Sequence, residues 1–130
     1  MTPLKKILHV DDDADIREIA ELSLEQIGGF EVRQCASGAQ ALDVAPVFKP
    51  DLFLFDVMMP QMSGDVLWQE LSVDPEMAKI PVIFMTAKVE RSYIDQLRAK
   101  GAIAVLEKPF DPIGLADEIR AIWAARSAGT

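Results

Sequence analysis

A chain of 130 residues with a formal charge of −8 has the size of a single domain, and its hydrophobic half suffices to bury roughly two-thirds of the surface an unfolded chain exposes. The acid excess argues against non-specific binding to nucleic acid or anionic membranes, which attract basic patches, and leaves proteins and cations as partners. No run reaches the roughly 18–20 apolar residues of a membrane span, Met1-Thr2-Pro3 leads into a strand rather than a cleavable signal, and a lone Cys35 permits neither an intrachain disulfide nor a thiolate cluster, so the expected setting is cytoplasmic.

Lys5 to Val10 reads as a first strand that runs straight into Asp11-Asp12-Asp13. Ile16, Ile19, Ala20, Leu24 and Ile27 then recur at helical spacing, behind acids that suit a helix N-terminus, and Gly28-Gly29 supplies the stop. Phe30 to Cys35 alternates like a strand near a sheet edge; Ser37-Gly38 opens a second helix with Ala41, Leu42 and Val44, which Pro46 is expected to shorten or kink. Between Lys49-Pro50 and Met59-Pro60 lies Asp51-Leu52-Phe53-Leu54-Phe55-Asp56, a short apolar run with the length and punctuation of a buried central strand, delivering a carboxylate to its C-terminal end. A third helix begins at Gly64, with Leu67, Trp68 and Leu71 on one apolar face, and Asp74-Pro75 breaks it. Ile80 to Met85 forms a fourth buried strand ending at Thr86-Ala87. A fourth helix carries Tyr93, Ile94 and Leu97 to Gly101, and Ala102 to Leu106 makes a fifth strand that ends at Lys108-Pro109. The fifth helix, from about Pro112, repeats Leu115, Ala116, Ile119, Ile122 and Trp123 before a tail spanning residues 127–130.

Five strands alternating with five helices call for a doubly wound α/β domain, a parallel sheet covered on both faces. Ligands of such sheets bind beyond the carboxyl ends of the strands, where Asp11, Asp12, Asp56, Thr86 and Lys108 would converge on one rim. Two carboxylates about 5 Å apart repel by roughly 3 kcal/mol at an effective dielectric near 20, so such a cluster needs a cation or raised pKa values. Lys108 offers one charge; oxygen ligands without nearby histidine or thiolate suit a hard divalent ion, Mg²⁺, which binds through one or two carboxylates and completes its shell with water and phosphate oxygens. With its charge screened, the central carboxylate of Asp56 could act as a nucleophile toward phosphorus, with Lys108 and Thr86 stabilising the equatorial oxygens. No glycine-rich loop follows the first strand to cradle a nucleotide or flavin phosphate.

The acidic pair Asp11-Asp12, the run Asp56-Val57-Met58-Met59-Pro60 with Gly64 following, Thr86-Ala87 and Lys108-Pro109-Phe110, in this order and spacing, make the chain resemble the receiver domain of bacterial two-component response regulators, of the stand-alone chemotaxis-regulator type. The resemblance covers essentially the whole chain. It implies a flavodoxin-like sheet of strand order 2-1-3-4-5, a receiver domain over residues 1–126 with a short tail at 127–130, and Asp56 as the phosphoacceptor. It further implies Mg²⁺ held by Asp12, Asp56 and the backbone carbonyl of Met58, with Asp11 assisting through water, and Thr86 and Lys108 on the phosphoryl group. A histidine kinase or histidine phosphotransfer protein would be the donor, and a downstream protein would read the face of helix four, strand five and helix five, the chain being a monomer or weak dimer that takes no nucleic acid and no membrane. The activity would be confined to self-phosphorylation and autodephosphorylation. Met58 and Lys88 occupy, by the same resemblance, positions that tune phosphoryl lifetime.

Two positions depart from the family pattern: Val105 stands where an aromatic that swings between rotamers is common, and Asp65 is polar where an apolar residue is usual, its charge suiting a helix N-terminus. Asp13 reads as a solvated acid ahead of a helix, His9 as a packed or partly exposed strand histidine, and Cys35, Met58, Met59 and Met62 as packing and loop residues. A phosphohydrolase of the haloacid-dehalogenase kind wants a second acid two residues after the nucleophile, where this chain has Met58, and an acidic first loop would repel a flavin phosphate. A phosphorylation-independent interaction module, or a receiver cut from a hybrid kinase or longer regulator, are the remaining alternatives; Met1 just ahead of the first strand favours a whole product.

Overall fold

A computed structural model describes residues 3–87 and 90–128. The sheet has five parallel strands, β1 (Lys6–Val10), β2 (Glu31–Cys35), β3 (Leu52–Asp56), β4 (Val82–Thr86) and β5 (Ala104–Glu107), in the order β2-β1-β3-β4-β5 expected above. β3 and β4 lie inside the sheet and are buried at every position, which is why they read as continuous apolar runs, whereas edge strand β2 alternates between exposed and half-buried residues over most of its length.

Period-two alternation sends the strand residues to two cores. Leu8, Val10, Phe53, Phe55, Val82 and Phe84 pack against α2 (Gly38–Phe48), α3 (Gly64–Leu71) and α4 (Arg91–Ala99). Ile7, Leu52, Leu54, Ile83, Met85 and Leu106 meet α1 (Ala14–Glu21) and α5 (Leu115–Ala128). Trp68 is half-buried on the first core, edge-on to Phe84 at 6.2 Å between centroids, and covers Gly101, whose φ of 122° is open to glycine; a Cβ there would meet the indole at 2.7 Å.

Several elements depart from expectation, β4 among them, which starts at Val82 rather than Ile80. α2 runs through Pro46 to Phe48, because buried Ala45 and Phe48 anchor its last turn and Lys49, in the left-handed region at φ 53°, closes it by donating to the Ala45 carbonyl at 2.9 Å. α3 stops at Leu71, ahead of Asp74-Pro75, which instead starts a single helical turn, Pro75–Ala78, with Asp74 capping the Glu76 amide at 3.0 Å and proline at the first position, where its missing N–H costs nothing. α1 continues as a π-helical segment, Leu22–Ile27, whose wider turn buries the adjacent Ser23 and Leu24; the Ser23 hydroxyl donates to the Pro112 carbonyl at 2.5 Å. β5 starts two residues late, at Ala104. α5 begins at Leu115, after a turn in which Asp111 accepts from the Ile113 amide at 3.1 Å, and stays helical to Ala128, into the span expected as tail.

Candidate functional site

Each strand end delivers one component. Asp11 follows β1 and is fully buried: its amide donates to the Cys35 carbonyl at 3.1 Å, its carbonyl accepts from the Arg17 guanidinium at 2.8 Å, and its Oδ1 accepts from the Asp13 amide at 2.9 Å. Asp12 beside it is exposed. Asp13 turns away to cap α1, accepting from the Asp15 and Ile16 amides, so its charge serves the helix start. The acidic triplet therefore splits into one oriented, one free and one capping carboxylate.

Asp56 ends β3 with 4% of its surface exposed, its neighbour Val57 donating to the Met85 carbonyl at 3.1 Å. The β3–α3 loop returns so closely that Gly64 donates to the Val57 carbonyl at 2.9 Å, and a Cβ on Gly64 would collide with the Asp56 carbonyl. Glycine at 64 thus allows α3 to start against the strand that carries the acid. Thr86 ends β4, buried, next to Met85, the residue paired with Asp56 across the sheet. Beyond β5, the Lys108 amide donates to the Thr86 carbonyl at 2.9 Å, and the following peptide bond to Pro109 is cis. The Lys108 ammonium lies 2.8 Å from Asp11 Oδ2 and 3.0 Å from Asp56 Oδ1.

One carboxylate oxygen from each of Asp11, Asp12 and Asp56 falls within 4.8 Å of the others. Asp11 Oδ2 is buried, with the Lys108 ammonium at 2.8 Å as its partner. Three hard carboxylate oxygens are a donor set for a small divalent cation, and the single ammonium present offsets only one of their charges. Burial lifts the Asp56 carboxyl pKa to about 6, helped by the Asp11 charge and, more weakly, by Asp12, against the lowering pull of Lys108. For Lys108, burial pulls the ammonium pKa down, but the two acids outweigh it and the net direction is up.

The sequence pattern did not single out two scaffold residues. Arg17 holds the Asp11 carbonyl, and Gln34 bridges the Arg17 carbonyl (2.8 Å) and His9 Nδ1 (3.0 Å). His9 itself is packed, as expected, with its pKa lowered to about 3 by burial and then by Lys108 and Arg17. Neither Arg17 nor Gln34 carries a sequence signal, because the carbonyls they serve become their neighbours only in the fold. Asp65 lies in the first turn of α3 and pairs with Lys100 at 3.3 Å. Met58 is exposed in the loop after β3, Val105 is half-buried on β5, and Lys88 lies outside the described residues. A cavity of about 490 Å³ bounded by Pro46, Lys49, Pro50, Asp74 and Met77 lies at the opposite ends of the strands and touches none of these groups.

Residues 7–120 match the response regulator receiver domain family. Among curated relatives, sporulation initiation phosphotransferase F of Bacillus subtilis is 38% identical over 116 residues, covering 89% of this chain and 88% of its own length. Response regulator Rre1 of Synechocystis is 35% identical over 95% of this chain and 54% of its own. The chain spans about half the length of most of the relatives it matches first. Among solved structures, chemotaxis protein CheY4 of Vibrio cholerae superposes with a TM-score of 0.84 at 28% identity, covering 92% of this chain and 99% of that one. A response regulator of Chloroflexus aurantiacus gives 0.82 at 33% identity, over 94% and 99%.

Proposed function

Because the chain belongs to the response regulator receiver domain family, we propose that its site takes a phosphoryl group from the phosphohistidine of a histidine kinase or phosphotransfer protein onto Asp56. A carboxylate oxygen of Asp56 bonds to phosphorus as the phosphorus–nitrogen bond breaks and the electron pair returns to the donor imidazole. The observation that supports this most is the meeting of Asp11, Asp12 and Asp56 within 4.8 Å, with Lys108 bridging two of them.

Asp11, Asp12, Asp56 and the Met58 backbone carbonyl would hold Mg²⁺, which when bound supplies positive charge against the acids and the incoming phosphoryl oxygens. Lys108 and the Thr86 hydroxyl stabilise the remaining equatorial oxygens. Arg17, through the Asp11 carbonyl, and the Asp13 amide, through Asp11 Oδ1, keep that carboxylate aimed at the rim. With Met58 at the second position after Asp56 there is no carboxylate to drive turnover of external phosphate esters, so chemistry ends at self-phosphorylation and its reversal by water. Output passes to a downstream protein through the face of α4, β5 and α5, in the cytoplasm; among the described residues no helix is long and apolar enough to cross a membrane.

Intact-mass spectrometry tests the reading. With Mg²⁺ and acetyl phosphate, or a phosphorylated kinase domain, the chain gains one phosphoryl group, and Asp56→Asn gains none. A wild-type chain unmodified under both donors rejects Asp56 as acceptor.

A further inference from the structure

Lys108 grips Asp11 and Asp56, but Asp12 is exposed, and among the described residues its carboxylate takes part in no hydrogen bond or ion pair. One of its oxygens nonetheless falls within 4.8 Å of the other two acids, so its placement comes from the backbone. Both peptide units that flank it are held. The Asp11 carbonyl, in the unit before it, accepts from the Arg17 guanidinium at 2.8 Å, and the Asp13 amide, in the unit after it, donates to Asp11 Oδ1 at 2.9 Å. With both peptide planes fixed, the side-chain torsions are the only freedom left to Asp12.

Arg17 is itself tied at three points. Its amide donates to the Asp13 carbonyl at 3.0 Å as α1 opens, its side chain reaches back to Asp11, and its carbonyl accepts from Gln34 Nε2 at 2.8 Å. This last contact sets the orientation of the Gln34 amide, because a carbonyl needs its N–H end. The same nitrogen lies 3.0 Å from His9 Nδ1, which therefore accepts, so the ring is neutral with its proton on Nε2. His9 is fully buried and pairs with Gln34 across β1 and β2. The contacts thus run from a rigid strand pair through Gln34 and Arg17 to the peptide ahead of Asp12.

We propose that Arg17 is a positioning residue that makes the rim selective for a small divalent cation over a large one, with Gln34 and His9 bracing it. The inference rests on the reading of Asp11, Asp12 and Asp56 as metal ligands and concerns which metal they take. Mg²⁺ demands near-ideal octahedral geometry with oxygens at about 2.0–2.1 Å, whereas Ca²⁺ accepts flexible arrangements at about 2.3–2.6 Å. A carboxylate delivered by fixed peptide planes serves the strict ion, and one free to drift serves the tolerant ion nearly as well. The charge of Arg17 works the other way, since a guanidinium near the rim repels any cation. The two roles therefore predict opposite signs for Mg²⁺ affinity when the arginine is removed.

Amide NMR titration of the full chain with magnesium chloride and, separately, calcium chloride tests it, each variant first shown to be folded by a thermal melt. Arg17→Met should weaken Mg²⁺ about tenfold and Ca²⁺ by less than about twofold, so that the preference for Mg²⁺ falls. Arg17→Lys, which returns one donor to the Asp11 carbonyl, should recover most of that preference. Gln34→Met, which unbraces Arg17 without touching its charge, should move the preference the same way by a smaller factor, and it carries the test if Arg17→Met misfolds. Tighter binding of both ions in Arg17→Met would make the residue's role purely electrostatic and overturn the proposal. Equal weakening of both ions, the mark of a general loss of structure, would overturn it too, as would a wild type with no preference for Mg²⁺. The ligand reading fails by a different result: a wild type whose Asp12 and Asp13 amides do not respond to Mg²⁺, or Asp12→Ala with undiminished affinity, rejects the ligand set and the proposal with it.

Discussion

At the scale of single residues, Asp56 is a carboxylate whose ionisation opposes folding, because burial and the neighbouring acids raise its pKa. The folded-state pKa of Asp56, about 6, exceeds its ordinary 3.8, so between these values the folded chain binds more protons than the unfolded one. Its contribution to metal-free stability therefore falls as pH rises from about 4 to about 6, by up to about 3 kcal/mol. His9 acts in the opposite sense, because its folded pKa of about 3 lies below its ordinary 6.5 and it contributes stability that grows as pH rises through that window. Comparing wild type with Asp56→Asn at each pH cancels the histidine. The asparagine variant should melt higher than metal-free wild type at pH 7, with the gap closing toward pH 4, as thermal denaturation followed by circular dichroism will show. Lys108→Ala should remove about 2–4 kcal/mol from the metal-free protein, since it leaves two buried acids without their ammonium. Mg²⁺ should restore much of that loss and still bind, as read by calorimetry, while phosphotransfer is impaired. Equal loss of metal binding and transfer would mean that the lysine chiefly holds the acids together.

At the scale of elements, the strands and their order were legible because β3 and β4 must be apolar on both faces and each ends abruptly in a polar residue. Asp56 was legible for that reason, and Asp11, Asp12, Thr86 and Lys108 followed from strand ends that a parallel sheet brings to one rim. The continuation of α2 through Pro46, the π-helical segment and the late start of β5 were not, since each is decided by packing between elements distant in sequence: Phe48 on the first core, Ser23 on the Pro112 carbonyl, and Ala104 beside Ile83. Arg17 and Gln34 escaped for the same reason, their targets being carbonyls that become neighbours only on folding. Gly64 shows the same dependence on approach of chain to chain. Gly64→Ala should destabilise the protein by about 1–3 kcal/mol, because its Cβ meets the Asp56 carbonyl, and should slow phosphorylation by displacing the acid; urea denaturation and a phosphorylation time course measure the two effects. A stability loss with unchanged phosphorylation would separate the glycine from the site.

At the scale of the whole molecule, a net charge of −8 is distributed so that three acids converge where the strands end, while Arg98 and Arg126 line a groove at the opposite end of β5. Divalent metal should therefore raise global stability by mass action, by about 2.7 kcal/mol at a concentration one hundred times its dissociation constant. Asp12→Ala should abolish most of that increment in a melt with and without Mg²⁺; an undiminished increment would place the metal elsewhere. The Lys108 ammonium also sits on Asp11 and on one oxygen of Asp56 while its own amide holds the Thr86 carbonyl. On the proposed reading, a metal would have to compete with that tethered ammonium for the acids, and its amide anchor would keep the lysine at the rim, so that readiness would precede modification.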